Sequence, residues 1–428
     1  MTSYLYAKLE NIADYGAVFD STTLFGVICD MKKSFVYCFL LLLPAFLGGA
    51  RAQSRLSSEA TISILTSSPW NEEVYALFGH TALRVKDKSQ GLDLVFNYGL
   101  FSFNKPNFMY HFVKGETDYQ LGASDFTNYT IEYRLNNLEV VEQVINLTDE
   151  EKNALWSALL VNFSPKNREY RYNFFYDNCS TRPFYLINES VGGNLELSPL
   201  KATLTWRDLI NGCTANFAWL TYGINLVVAQ PADEVMDEYQ ILFLPYHLMK
   251  ALESATVTSP DGGSYPLVKE QAVIIASEPD EEEEAFNPAS WLTPTVVTGL
   301  LLTILLLLAY GKKTQTKVFK AIEYPLFVIA GIGGCVVFFL SFFSEHPAMF
   351  PNWNLLWLQP LQLIVPVWSL VKSRSKVLYC YHFINFATLL FFIAASPFIK
   401  QAVPLASVFL VLSLMLCSVR HLYYFKRS

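Results

Sequence analysis

A chain of 428 residues that is 52% hydrophobic, 15% aromatic and only 16% charged is too apolar for an ordinary soluble enzyme and calls for a membrane component. Its net charge of −7 argues against nucleic acid as a partner. No Cys/His spacing of the metal-binding kind occurs, so neither a metal site nor a cofactor is expected.

In chain order, the first pattern is a secretory signal. Met31-Lys32-Lys33 supplies a charged start, Phe35 to Leu47 an apolar run too short for a comfortable span, and Ala50-Arg51-Ala52 a small-x-small cleavage site before Gln53. Residues 31–52 are therefore expected to be a signal peptide. Residues 1–30 are expected to come from an upstream start, with Met31 the true first residue; an uncleaved anchor is the alternative.

Residues 53–275 carry a mixed pattern that predicts one α+β domain, with strands and helices not regularly alternating. Ile62 to Thr66 alternates like a strand, and Glu72 to Phe78 suggests a short helix. Gly79 to Val85 and Leu92 to Tyr98 form a predicted hairpin around the turn Lys86 to Gly91. Thr148 and Glu151 form a capping box for a helix running through Leu160. The acidic stretch within 276–290 reads as a solvated linker.

Five apolar segments follow, near 291–310, 320–343, 353–371, 377–399 and 402–420, each close to the roughly 20 residues a bilayer core requires. Basic residues cluster after the first, third and fifth (Lys312, Lys313, Lys317; Lys372, Arg374, Lys376; Arg420, Lys426, Arg427). The positive-inside rule then puts the C-terminus in the cytoplasm and residues 53–290 on the other side, as the signal peptide also requires.

The chemistry gathers on Tyr170 to Arg182. This aromatic run breaks at Asp177-Asn178 and delivers Cys179 to a turn or helix start, where free N–H groups favour a thiolate. Pro183 fits a first helical turn but pushes Arg182 away from α geometry. A cysteine nucleophile needs a base and an orienting group. His80 is the best base, since it begins a strand directly after Gly79. If the hairpin closes with Val85 opposite Leu92, His80 lies opposite Asn97, on the same face. Asn97 is then the orienting residue. The competing reading is a Cys179–Cys213 disulfide. Tyr176, Asn178 and Arg182 are candidates for oxyanion or substrate contacts, although Tyr176 also fits a core aromatic and Asp177 a turn residue. His111 and His247 sit in aromatic contexts that suit packing. Beyond the second span, His346, Asn352 and Asn354 are polar enough to be substrate-handling candidates, while Trp353 and Trp357 fit an interfacial belt. Trp206-Arg207 offers a lipid head-group contact or a surface pair.

Three stretches, Phe78 to Val85, Phe96 to Gly99 and Asp177 to Arg182, resemble the Lnb N-terminal periplasmic domain family. Leu147 to Lys152 and Phe243-Leu244-Pro245 do so too. The likeness covers most of 55–255, and the apolar tail is similar to the family's membrane half. The order His80 then Asn178-Cys179 also resembles permuted papain-like enzymes of the lecithin-retinol acyltransferase type, in which Asn97 stands where many relatives carry histidine. The resemblance implies a membrane-bound lipoprotein N-acyltransferase of the bacterial inner membrane. A phospholipid would be its acyl donor, diacylated lipoproteins its acceptor, and an acyl-thioester on Cys179 its intermediate. Two other classes compete: a membrane-anchored cysteine amidase or endopeptidase acting on peptidoglycan, and a non-catalytic lipid or lipoprotein binding module. An anchored hydrolase has no need of five spans, and a binding module would not need Cys179.

Overall fold

The computed structural model describes residues 55–101, 106–198, 203–259, 262–278, 291–309, 313–371 and 375–426. The expected signal peptide and most of the acidic linker lie outside the described residues.

The N-terminal part is built on an antiparallel sheet. In chain order its elements are β1 (Thr61–Ser67), β2 (His80–Asp87), β3 (Leu92–Leu100), α1 (Phe108–Lys114), β4 (Asp118–Asp125), α2 (Phe126–Leu135), β5 (Val140–Ile145), α3 (Asp149–Phe163), β6 (Glu169–Arg171) and α4 (Thr181–Ser190). After these come β7 (Leu195–Glu196), α5 (Trp206–Thr214), α6 (Ala218–Val227), α7 (Pro245–Glu253), β8 (Thr256–Thr258), β9 (Ser264–Pro266) and β10 (Val268–Ile275). Seven strands pair in the order β10-β5-β1-β2-β3-β4-β6, and β7-β8-β9 form a small second sheet. Alternation of side chains gives the large sheet two dry faces. Ile62, Ile64, Leu83, Val85, Phe96 and Tyr98 point into the main core under α3 and α4. Leu65, Ala82, Val95 and Val140 meet Tyr129 of α2 on the opposite face. Arg84 fastens α2 there. It is buried, pairs with Asp93 at 2.7 Å and with Glu142, and lies 3.3 Å from the centre of the Phe126 ring. The Thr148/Glu151 capping box is present at the start of α3.

The hairpin closes two residues tighter than expected. Asp87 stands opposite Leu92, so Ala82, not His80, faces Asn97. The cause is Asp87, whose carboxylate accepts from the Ser89 and Gln90 N–H groups and folds Lys88 to Gln90 into a single 3-10 turn. A shift of two residues keeps every side chain on its own face, whereas a shift of one would have reversed them all. His80 and Asn97 therefore remain on one face as diagonal neighbours.

The C-terminal part is helical: α8 (Pro294–Ala309), α9 (Lys313–Phe343), α10 (Ile364–Val371), α11 (Lys376–Ala395) and α12 (Leu405–Lys426). Among the described residues, three helices are long and apolar enough to cross a membrane, within α9, α11 and α12, and α8 is a shorter apolar helix. The expected span over 353–371 is not one helix. It comprises two 3-10 turns, Trp353–Leu356 and Pro360–Leu363, followed by the short α10. Pro360 has no N–H to continue a helix. The irregular backbone is satisfied inside the protein, as an apolar setting demands: Gln362 donates its amide to the Trp357 carbonyl, and Leu358 N–H donates to Asn354 O. This segment lies directly on α9, where a Cβ at Gly334 would stand 2.3–2.5 Å from the Gln359 backbone.

Gly334→Ala is therefore expected to lower the thermal unfolding midpoint of the detergent-solubilised protein, by an overpacking cost at the upper end of ~1–3 kcal/mol. Gly212→Ala, in open space on α5, is the control and is expected to hold or raise it. Equal midpoints for the two variants would contradict this packing.

Candidate active site

The loop before Cys179 is shaped by two asparagines. Asn173 Oδ1 accepts from the Phe175 and Tyr176 N–H groups, and the Asn173 and Asp177 backbones exchange both hydrogen bonds. Asn178, only 2% exposed, does more. Its Oδ1 accepts from Ser180 N–H at 2.8 Å and Thr181 N–H at 3.0 Å, and its Nδ2 donates to the Phe174 and Phe243 carbonyls. It thus satisfies two of the free N–H groups at the start of α4. Pro183 falls in the first turn, where no donor is needed, and Phe184 N–H already reaches Ser180 O.

Cys179 sits partly buried at this junction, beside the start of β2. His80, the first residue of β2, lies close enough to Cys179 for each to shift the other's titration, and His80 Nε2 lies 3.2 Å from Asn97 Oδ1. An amide oxygen only accepts, so Nε2 carries the proton and Nδ1 is the basic nitrogen. Gly79 permits this placement. Its φ is +75°, and a Cβ there would stand 2.8 Å from Ser67 O. The structure therefore brings Cys179, His80 and Asn97 together. Cys179 and Cys213 are both free thiols, with no disulfide between them.

The electrostatics favour a thiolate–imidazolium pair. Burial would push the Cys179 thiol up. The charge of His80, a hydrogen bond from His80, the Thr81 backbone N–H and the Ser180 hydroxyl together outweigh burial and hold the thiol below its usual range. Burial would likewise push His80 down, but the charge and hydrogen bond of Cys179, the bond to Asn97 and the charge of Glu132 leave it above the ordinary histidine value. The Thr81, Ser180 and Glu132 contributions were not foreseen. Thr81 acts through its backbone and Glu132 from a helix on another element, so neither leaves a local pattern in sequence. Ser180, next to Cys179, was the one visible signal; its hydroxyl also meets that of Thr81 at 3.2 Å.

A cleft of about 370 Å3 opens on the His80 and Asn97 side, lined among others by Trp70, Tyr75, Phe101 and Tyr133. From it a file of aromatic rings leads away. Tyr75 meets Phe101 edge-on at 5.4 Å, Phe101 stacks on Phe108 and Phe108 on Phe112, each at 5.8 Å, and Phe112 meets His346 at 6.2 Å. Met109, Tyr110 and Phe112 of α1 are exposed.

The other expected site residues lie elsewhere. Arg182 is committed to Asp177, at 2.7 Å, and to the face of Tyr170. Tyr176 is exposed and packs edge-on against Trp206. The Asn178 amide is spent on carbonyls. His346 Nε2 meets Phe112 O at 2.7 Å, while Asn352 and Asn354 donate to the Leu226 carbonyl at the end of α6. These three therefore join the helical part to the N-terminal part and do not face Cys179. Arg207 is buried, not on the surface or at a head group. It binds Asp233, Asn225 and the Val228 and Ala229 carbonyls.

Residues 51–212 match the family model described as the Lnb N-terminal periplasmic domain, and residues 285–428 match the Lnb transmembrane domain. The chain belongs to the Lnb-type family. No curated protein and no solved structure matches it. Membership makes it a membrane protein with a periplasmic N-terminal part, and Cys179, His80 and Asn97 all lie inside the matched periplasmic domain.

Alkylation of Cys179 by iodoacetamide tests the thiolate. Because the thiol is held low, the alkylation rate should stay high at pH values below ~8.5, where an ordinary thiol is protonated. In His80→Ala the midpoint should climb toward or above that value, since burial then acts with less opposition. An unchanged profile would contradict the pairing.

Proposed function

We propose that this chain is a lipoprotein N-acyltransferase of the bacterial inner membrane. Its periplasmic Cys179 would take a fatty acyl chain from a phospholipid ester as a thioester and pass it to the α-amino group of the diacylglyceryl-cysteine of lipoproteins. The observation that carries this reading is the file of aromatic rings from the cleft beside His80 to His346 in the loop between α9 and the broken segment. A nucleophile for polar peptidoglycan has no use for an apolar track to the membrane half. A nucleophile for lipid esters does.

The chemistry follows from the geometry. With the Cys179 proton already resting on His80, the thiolate attacks the ester carbonyl carbon. The C–O bond breaks, and His80 returns its proton to the leaving lysophospholipid oxygen. In the second half the amine attacks the thioester, the C–S bond breaks, and its electron pair returns to Cys179. Asn97 holds the imidazole throughout. Water must be kept from the thioester, which favours a site walled by aromatic side chains at the membrane surface. With this reading go a permuted papain-like fold, five membrane spans including the broken segment, and a cytoplasmic C-terminus. The basic residues after the first, third and fifth apolar segments support that orientation.

Mass spectrometry of lipoprotein N-termini provides the test. Cells whose only enzyme of this kind carries Cys179→Ser should accumulate diacylated lipoproteins with a free α-amine, and the wild-type gene should restore the third acyl chain. Persistence of N-acylation in the Cys179→Ser cells would contradict the proposal.

A further inference from the structure

The cleft beside His80 has a chemical bias that the acyl-transfer reading does not itself require. It is lined by His80, Asn97, Tyr75, Tyr129, Tyr133 and Glu132, among others. Among the described lining residues Glu132 is the one carboxylate, and no lysine or arginine accompanies it. A phosphate would find no lysine or arginine there, and the one cation, the His80 imidazolium, is already paired with the Cys179 thiolate. An ammonium would find a negative charge, which attracts cations.

Glu132 is also placed to act. It lies on α2, which Arg84 and Phe126 fix to the sheet. Its side chain is exposed toward the cleft, and no hydrogen bond or ion pair among the described residues occupies its carboxylate. Arg134, two positions on, points to a different side of the helix. Glu132 is close enough to His80 for its charge to favour the imidazolium. Beside it, Tyr129 is 3% exposed and stacks on Tyr133 at 4.2 Å, walling the cleft next to Glu132.

We propose that this cleft is the acceptor subsite, in which Glu132 pairs with the α-ammonium of the incoming diacylglyceryl-cysteine and sets its nitrogen beside the Cys179 thioester. The inference rests on the acyl-transfer reading and specifies its second half. An ammonium must shed two protons to become an amide N–H. The first leaves to water as the ammonium dissociates at Glu132. The second passes to His80 as the C–N bond forms and the C–S bond breaks, which restores the thiolate–imidazolium pair. Glu132 thus binds and orients the acceptor, while the donor ester meets it only through its effect on His80.

The two half-reactions separate this from every other role. The full-length protein is incubated with vesicles of either phosphatidylglycerol or phosphatidylethanolamine, and the thioester on Cys179 is quantified. A synthetic peptide with an N-terminal S-diacylglyceryl-cysteine is then added and its N-acylation followed. In Glu132→Gln, thioester formation should fall modestly and to the same extent from either lipid, because Glu132 is only one of several groups that favour the His80 imidazolium. Transfer to the peptide should fall about tenfold or more, chiefly through a raised KM, as expected for a lost charged contact. Glu132→Asp should recover part of it. A peptide bearing an α-hydroxyl in place of the amine should be acylated equally by both proteins. A drop in thioester formation from phosphatidylethanolamine alone, with transfer intact, would assign the cleft to a donor head group and overturn the proposal. Equal loss in both half-reactions, or unchanged transfer, would overturn it as well. Failure of the wild-type protein to form any thioester would instead overturn the acyl-transfer reading on which it stands.

Discussion

The buried side chain of Asn178 determines where Cys179 stands. Its oxygen holds the Ser180 and Thr181 N–H groups, and its amide holds the Phe174 and Phe243 carbonyls. Each of these bonds contributes only about 0.5–1.5 kcal/mol net, but leaving the four partners buried and unmatched would cost more than their sum. One side chain therefore ties the aromatic loop, the start of α4 and the segment before α7 into a single rigid turn. Cys179 follows as the next residue, fixed on the edge where β2 begins. The Thr81 N–H and the His80 ring reach it from that strand. The thiolate is favoured by these neighbours more than by the helix start alone.

The same economy of backbone capping joins the two parts of the chain. The end of α6 presents carbonyl groups that a helix cannot satisfy itself. Arg207 takes those of Val228 and Ala229, and Asn352 and Asn354 take those of Leu226 and Val227 from the side of the helical part. Ala229 N–H donates to Ala348 O, and Arg171 pairs with Glu345. The periplasmic sheet is thus held against the loop between α9 and the broken segment at several independent points. The aromatic file from the cleft ends at that loop. A chain drawn from the bilayer would meet a site whose distance from the membrane half is fixed.

Much of this was legible in sequence. Alternation located β1, β2 and β3, the Thr148/Glu151 box located α3, and His80, Asn97 and Cys179 could be named because each lies in a short, chemically distinctive stretch. The hairpin register was two residues off because the turn is set by Asp87 hydrogen bonds, which alternation does not encode; the pairing survived because parity did. The helical part was harder. Apolar length alone predicts a span over 353–371, but Pro360 and the close approach at Gly334 decide its local form. The polar residues there hold backbone of the N-terminal part. Asn352 and Asn354 are polar because carbonyls at the end of α6 need donors. Glu132 was invisible, since only tertiary packing of α2 places it near His80.

The account stands on a covalent intermediate at Cys179, and intact-protein mass spectrometry reads it directly. The purified full-length protein, incubated with phospholipid vesicles and no acceptor, should gain the mass of one fatty acyl chain. Hydroxylamine should remove the added mass, and Cys179→Ser should never acquire it. Acylation of a lipoprotein peptide by a preparation that never shows this adduct, or by the Cys179→Ser protein, would contradict the account.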